Sequence, residues 1–436
     1  MTQSSAVQSP LESKPNLERR AAKASFFGTV IEYYDFVVYA FLAITISPLF
    51  FPTGDKTASL LSTLAVFGAG YAARPLGGIF FGWIGDRFGR RGALMSTVLT
   101  MGFATAALGL LPTYQQIGIG AAILLLITRL IQGFAAGGEF IGASTYVTES
   151  APAHRRGFFL SLTPAGGGAG VALAPLVVGV MTFVLTPDQI SAWGWRVPFL
   201  LSIPLLLVCL YYRFRLEDTP EFKLMVERSE IVRFPLREVM RKHAGSFVQV
   251  IVVTIAVASP SFLGAVYMNI YLVTVVGLQP GVVYWFSALI LGLALPGFLI
   301  SGRAVDRFGY RRVLVIGMLG CGALVYPMLA IMGATKNLVV IGLLYFAFML
   351  LNNAINPPAY GFFIGAFPGP VRYTGAAVGV NIGNIVGVGL GPYFAEQLVA
   401  STGNPMSPGL MVIGALTVGL VTLAAFRRPN TVLTAK

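Results

Sequence analysis

Charge is what this sequence has least of. Only 11% of its 436 residues are Asp, Glu, Lys or Arg, against roughly 25% in a soluble domain that covers its surface with polar groups. With 56% hydrophobic residues, the chain is suited to lipid rather than to water. Histidine is nearly missing: His154 and His243 stand far apart, near chain turns. That excludes a His-based metal site and a Ser–His catalytic pair. Two cysteines, Cys209 and Cys321, each lie inside an apolar run with no C-x-x-C spacing, so they read as inert interior residues that say nothing of redox compartment. The first 22 residues carry Lys14, Arg19 and Arg20 and lack the apolar stretch of a cleavable leader. They read as a cytoplasmic tail.

What the chain has in quantity is long apolar runs. A bilayer core of ~30 Å takes about 20 apolar residues per helix. Twelve runs qualify, at roughly 24–50, 58–83, 93–112, 119–147, 158–186, 195–213, 247–275, 281–301, 313–333, 337–359, 375–399 and 408–426. Glycine and proline, 51 and 26 in the chain, are abundant inside them, as suits packed membrane helices. The expected fold is an all-α membrane protein of twelve transmembrane helices. A tail over 1–23 leads to six helices over 24–213, a polar central loop over 214–246, six helices over 247–427 and a C-terminal tail over 428–436. The central loop mixes both signs of charge and is expected to form one or two surface helices.

A net charge of +13 raises the question of nucleic acid. The distribution of the basic residues answers it. With the N-terminus inside, 25 of the 30 lysines and arginines fall in the tails, the central loop and the loops on the same side. Lys56, Arg196 and Lys336 fall on the other side, and Arg74 and Arg129 within the membrane. This follows the positive-inside rule. It implies a multi-pass protein of a bacterial inner membrane with both termini cytoplasmic, and no nucleic-acid partner.

The two halves echo each other. GWIGDRFGRR (82–91) lies between the second and third helices, and GRAVDRFGYRR (302–312) between the eighth and ninth, at an offset of 220 residues. A weaker echo pairs APAHRRG (151–157) with FPGPVRYTG (367–375). Duplicated six-helix halves with a ligand site between them are a recurring transporter plan. The repeated loop in a twelve-helix chain resembles the signature of the major facilitator superfamily. GTVIEYYDF (28–36), RPLGGIFFG (74–82), RLIQGFAAGGEFIGASTYVTE (129–149), WGWRVPFL (193–200), LEDTPEF (216–222) and RYTGAAVGVNIG (372–383) are similar to its metabolite:proton symporters. The likeness spans about 24–395. Two departures stand out: Tyr33-Tyr34 where Trp-Tyr or Trp-Phe is usual, and GVGLGP in the eleventh helix where a Gly-Gly pair is usual.

The resemblance implies two pseudo-symmetric six-helix bundles working by alternating access. It implies uptake of carboxylates, aromatic acids or zwitterionic osmolytes with protons, and no cofactor beyond the proton. It implies that Asp86, Arg87, Arg90 and Arg91, and in the second half Asp306 and Arg307, form a conformational latch. The plainer alternative is a cluster of topology-setting charge.

Charge at mid-bilayer costs at least ~2.5–3.5 kcal/mol, so it is seldom kept without a partner or a task. Glu32 and Asp35 share a helix face, which Tyr39 continues. At ~1.5 Å per residue, they lie about 12 to 16 Å above the inner end of the first helix, and Arg74 and Glu139 at a similar height. Like charges held close in low dielectric raise one another's proton affinity. Glu32, Asp35 and Glu139 are therefore the candidate proton carriers, with Arg74 and Arg129 as pairing partners. RLIQG, beginning at Arg129, resembles the superfamily's helix-four motif tied to proton coupling. The structural alternative is static pairing of Arg74 with Glu139, or of Arg129 with Asp35. The second half offers neutral polar groups: Tyr267, Asn269, Tyr271, Asn352 and Asn356. By the resemblance these join Tyr39 and Arg129 in holding substrate, Arg129 as the carboxylate anchor. Asn381 and Asn384 fit interhelical hydrogen bonding better. Pro357-Pro358 is expected to break or kink the tenth helix.

The sequence thus predicts a proton-coupled symporter, functional as a monomer, that imports a small polar metabolite. An organic acid leads, with a zwitterion such as betaine or proline as the alternative, and a proton-driven exporter of drugs or metabolites as a further one. A membrane enzyme or receptor is disfavoured, because no metal cluster, nucleophile–base pair or sizeable soluble domain is legible.

Overall fold

The computed structural model describes residues 17–228, 232–335 and 337–425. Residues 1–16 of the expected N-terminal tail and all of the 428–436 tail lie outside them. Residues 17–23, read as tail, are instead the start of the first helix. The first half holds α1 (Leu17–Phe50), α2 (Lys56–Phe88), α3 (Arg90–Gly109), α4 (Ile119–Ser150), α5 (Arg156–Val184) and α6 (Arg196–Arg213). The second holds α7 (Ala244–Thr274), α8 (Gly281–Phe308), α9 (Tyr310–Ala334), α10 (Leu338–Gly365), α11 (Arg372–Thr402) and α12 (Ser407–Ala425). The central loop forms two short helices, Pro220–Glu227 and Pro235–Lys242.

Among the described residues, eleven of these helices are long and apolar enough to cross a membrane. The remaining one, α11, is Arg372–Asn384, a π-helical stretch over Ile385–Gly389, and Gly391–Thr402. It is interrupted at Leu390, inside the GVGLGP departure, where glycines and a proline weaken helical hydrogen bonding. By contrast, α10 runs unbroken through Pro357 and Pro358. Pro358 has no N–H for the Ala354 carbonyl, and the Ser301 hydroxyl of α8 supplies the missing donor at 2.5 Å. A neighbouring serine satisfies a carbonyl that proline has freed.

Within the first half, α2 packs along α4 and α1 along α5; between halves, α2 packs on α11 and α5 on α8. The α2–α4 approach is so close that a Cβ at Gly137 would run into the Arg74 carbonyl. The halves differ inside. The second packs largely around one continuous apolar cluster that includes Met318, Cys321, Met328 and Phe348. The first half's apolar packing is divided among three smaller clusters, with buried charge between them.

The pseudo-symmetry reaches the backbone torsions. Gly89 and Gly309, equivalent in the repeated loop, have φ 112°, ψ 150° and φ 83°, ψ 154°, a region open essentially to glycine alone. The weaker echo is equally exact in form: 3₁₀ turns at Ala153–Arg155 and Gly369–Val371 precede α5 and α11, with Arg155 at φ −132°, ψ 15° and Val371 at φ −131°, ψ 8°.

Candidate functional site

Both repeated loops lie at one end of the bundle, the motif end, and each reaches into the opposite half. Asp86, at the end of α2, accepts hydrogen bonds from the Tyr373 and Thr374 amides, at 3.3 and 2.9 Å, and from the Thr374 hydroxyl at 2.8 Å. Asp306, at the end of α8, accepts from the Gly157 and Phe158 amides at 2.7 and 3.0 Å. In each case an aspartate faces the first-turn amides of α11 or α5, where free N–H groups and the helix dipole favour an anion. One contact between halves is thus used twice, at the two positions expected to form a latch.

The two are unequally furnished. Asp86 is buried and also holds Arg90 at 2.6 Å. Arg90 continues to Glu149 at 3.3 Å and to the Gly369 carbonyl at 3.2 Å. Glu149 accepts from Arg372 at 3.1 Å and from the Thr219 hydroxyl at 2.6 Å, and Arg372 pairs with Glu221 of the loop helix at 2.8 Å. Asp306 is exposed. The other expected latch arginines do different work. Arg87 lies over the Trp83 and Phe88 rings, and Arg307 over Phe308. Arg91 binds the central loop through Asp218 and the Phe214 carbonyl.

Above the motif end, the expected layer of three carboxylates and an arginine resolves into three separate arrangements. Glu139 is paired with Arg213 of α6, and accepts from Thr97 of α3 at 2.5 Å. Its expected partner Arg74 is elsewhere, and both its oxygens are engaged, so it is not a free carboxylate. Arg213 reads in the sequence as one more flanking basic residue, because a helix end does not announce that its side chain folds back inward.

Asp35 is linked to Arg129 through two intermediaries rather than by a direct pair. Arg129 Nη1 donates to Gln132 Oε1 at 2.8 Å, Gln132 Nε2 to Thr105 Oγ1 at 2.6 Å, and Thr105 Oγ1 to Asp35 Oδ2 at 2.7 Å. Asp35 Oδ1 and Arg129 Nε and Nη2 have no hydrogen-bond partner. Arg129 is fully buried and its guanidinium lies 4.2 Å from the Tyr39 ring centroid and 4.6 Å from that of Phe36. It is thus inside the first half and not on the seam between halves, which corrects its expected role as carboxylate anchor. Tyr39 follows it inward and donates to the Thr63 carbonyl at 3.1 Å. Gln132 lay within the quoted RLIQG, one turn from Arg129; Thr105 was a lone hydroxyl in an apolar run.

Glu32 and Arg74 form the third arrangement, at 3.7 Å. They sit at the seam, beside an aromatic floor made by Tyr33 of α1, Phe140 of α4 and Tyr360 of α10. The Phe140 centroid is 5.7 Å from that of Tyr33 and 4.3 Å from that of Tyr360.

The polar groups expected to hold substrate in the second half are mostly committed there. Tyr267 donates to the Pro405 carbonyl at 2.5 Å and Tyr271 to the Leu329 carbonyl at 2.6 Å. These two phenols brace their own half, the ordinary fate of a buried hydroxyl beside a free carbonyl. Asn269 accepts from Ser287 at 2.6 Å and donates to the Ala265 carbonyl. Asn352 accepts from Ser261 at 2.9 Å, and half-buried Asn356 donates to the Asn352 carbonyl. Asn381 donates across the seam to the Gly137 carbonyl at 2.6 Å, and the Tyr373 hydroxyl to that of Gly138 at 2.5 Å. Among the described residues no cluster of His, Cys, Asp and Glu suited to a metal occurs.

This architecture has known counterparts. The family profile of the Major Facilitator Superfamily matches residues 25–379. The shikimate transporter of Escherichia coli K12 is 34% identical over 414 residues, covering 93% of both chains. The proline/betaine transporter of Salmonella typhimurium LT2 is 33% identical over 418 residues, covering 93% of this chain and 82% of that one. Among solved structures, the proton:xylose symporter XylE bound to 6-bromo-6-deoxy-D-glucose superposes with a TM-score of 0.73 at 15% identity, covering 95% of this chain and 96% of that one. The helices, the repeated Asp86 and Asp306 contacts, the profile and the relatives agree: this chain belongs to the major facilitator superfamily of membrane transporters.

Proposed function

We propose that this transporter is a symporter that imports a small organic acid together with one or more protons. The observation that carries the reading is the buried chain Asp35–Thr105–Gln132–Arg129. A guanidinium cannot release its proton in the physiological range, so the carboxylate is the group that titrates. Ionised Asp35 accepts from Thr105 and ties α1 to α3 and α4. Protonated Asp35 can itself donate, which lets the Thr105 hydroxyl turn to the Met101 carbonyl, 3.0 Å away, and takes the anion out of the chain that leads to Arg129. A proton taken up on one side and released on the other thereby alters how α1 is held. With both latches closed, the motif end is shut and the site would face the opposite side. The distribution of basic residues orients the motif end and both termini toward the cytoplasm of a bacterial cell, and the chain acts as a monomer.

The relatives keep a second substrate class in view. One is a shikimate transporter and the other a proline/betaine transporter, at nearly equal identity, so a zwitterion such as proline or betaine is the alternative. All three compounds bear a carboxylate. The test is uptake by proteoliposomes of labelled shikimate, L-proline and glycine betaine under an imposed inward proton gradient. One pH unit is worth about 1.4 kcal/mol per proton, so one-proton coupling supports roughly tenfold accumulation. Asp35→Asn is expected to lose accumulation while retaining exchange of internal for external substrate. Proton-driven depletion would identify an exporter, and full accumulation by Asp35→Asn would remove Asp35 from the mechanism.

A further inference from the structure

Five arginines are deeply buried in the described residues: Arg74, Arg90, Arg129, Arg213 and Arg372. Four of them donate hydrogen bonds, to Asp86, Glu149, Glu139 or Gln132. Arg74 does not. It is 7% exposed, its Nε has no partner, and its nearest carboxylate oxygen, Glu32 Oε1, is 3.7 Å away. Neither oxygen of Glu32 has a hydrogen-bond partner. The Arg74 guanidinium lies instead 4.1 Å from the Phe36 ring centroid and 4.5 Å from that of Tyr71. A guanidinium carries five N–H donors; in Arg74 none is within hydrogen-bond distance of an acceptor among the described residues, and a buried one left unmet, as at Nε, is costly. Arg74 therefore presents an unfilled demand for an acceptor, at the seam where alternating access would open.

We infer that Arg74 takes the carboxylate of the substrate, and that Glu32 decides whether it can. Ionised Glu32 holds the guanidinium loosely when the site is empty. A proton from the open side neutralises Glu32 and removes the competitor. The guanidinium then turns its donors to the incoming carboxylate, the acceptor that its planar fork fits in a bidentate manner. The charge balances in both states: Glu32 anion with Arg74 cation when empty, neutral Glu32 with Arg74 cation and substrate anion when loaded. A carboxylate arriving without its proton would set two anions against one cation in a buried site. That makes proton and carboxylate bind together.

The surroundings of Glu32 leave it as the variable member. Glu139 on α4 and Arg213 on α6 lie in its field but satisfy one another. Arg74 and Tyr71 face it from α2, Tyr360 from α10, and Tyr33 neighbours it on α1. The inference rests on the proposal of proton symport and replaces Arg129 as the expected anchor.

The test measures binding to purified protein at acid, neutral and alkaline pH. The probes are shikimate, benzoate, L-proline and glycine betaine, with choline as the comparison that lacks a carboxylate. The wild type is expected to bind at least one carboxylate, more tightly at acid pH, and to reject choline. Arg74→Gln should weaken that binding by at least about tenfold, with Arg74→Lys intermediate. Glu32→Gln should bind with the acid-pH affinity of the wild type at every pH. Thermal unfolding of the unliganded variants checks folding, and Arg74→Lys decides the matter if Arg74→Gln does not fold. Wild-type affinity in a folded Arg74 variant, wild-type pH dependence in Glu32→Gln, or preference for choline would each overturn the inference. If binding behaves as described but uptake ignores a proton gradient, symport fails and the anchor stands. If uptake is proton-driven but indifferent to Arg74, symport stands and the anchor fails.

Discussion

The two halves share a fold and a loop motif but handle charge differently. The second half is built around a continuous apolar cluster, and its polar groups are mainly amides, phenols and hydroxyls bonded to one another or to backbone. The first half breaks its apolar packing to house Glu32, Asp35, Arg74, Arg129, Glu139 and Arg213. The latches repeat the contrast. Asp86 is buried within a network spanning α3, α4, α11 and the central loop, whereas Asp306 is exposed and meets the amides of α5. Duplication supplied the geometry twice, and the ionic machinery is concentrated on one copy. The second half then serves as the firmer partner against which the first is read.

The sharpest way to break this contrast is at the hub of the network. Glu149 holds Arg90, Arg372 and Thr219 together. Removing one partner of a buried pair costs about 3–5 kcal/mol. Because Arg90 keeps Asp86 and Arg372 keeps Glu221, Glu149→Gln is expected near the lower end, about 3 kcal/mol, in unfolding by denaturing detergent. A loss no greater than that of an exposed substitution would show the network to be ornamental.

Next come the latches themselves. Asp86→Asn weakens charge-assisted bonds in a buried site and should speed hydrogen exchange in the first turn of α11 by roughly 10–100-fold. Asp306→Asn acts on an exposed helix terminus and should speed exchange in the first turn of α5 by less than about fivefold. Equal effects would erase the distinction between them.

The smallest effects separate the turn glycines. Alanine at Gly89 or Gly309 takes on backbone strain of order 1–3 kcal/mol. At Gly89 the added Cβ would also lie 2.5 Å from Asp218 Oδ1, whereas at Gly309 nothing lies within 4 Å. Gly89→Ala should therefore lower the thermal midpoint more than Gly309→Ala. The reverse order would mean that the loop around Asp218 yields freely.

The fold was legible because apolar run length, the side carrying basic residues and a 220-residue echo are long-range patterns that survive without coordinates. That Glu32, Asp35 and Glu139 fall inside long apolar helices was legible for the same reason. Their partners were not. Helical counting gives height but not azimuth, so Glu139 was set beside Arg74 when Arg213 reaches it from α6. Arg90, Arg213 and Arg372 were counted toward the positive-inside pattern, yet all three are buried; near a helix end, the residue type alone does not tell a loop charge from an interior one. Pro357-Pro358 promised a break or a kink; the helix is not broken there, and Ser301 of another helix meets the carbonyl that Pro358 frees, a compensation invisible locally. Tyr267 and Tyr271 sit on the expected helix but face carbonyls of their own half.

The central claim is that the organic acid and at least one proton cross together and that this net crossing requires Asp35. Its most direct test is a pH-sensitive dye sealed inside proteoliposomes with no gradient imposed, with the transported carboxylate added outside. Substrate-dependent acidification of the interior is expected with the wild type and its absence with Asp35→Asn. Substrate uptake by the wild type without acidification, or equal acidification by both proteins, would contradict it.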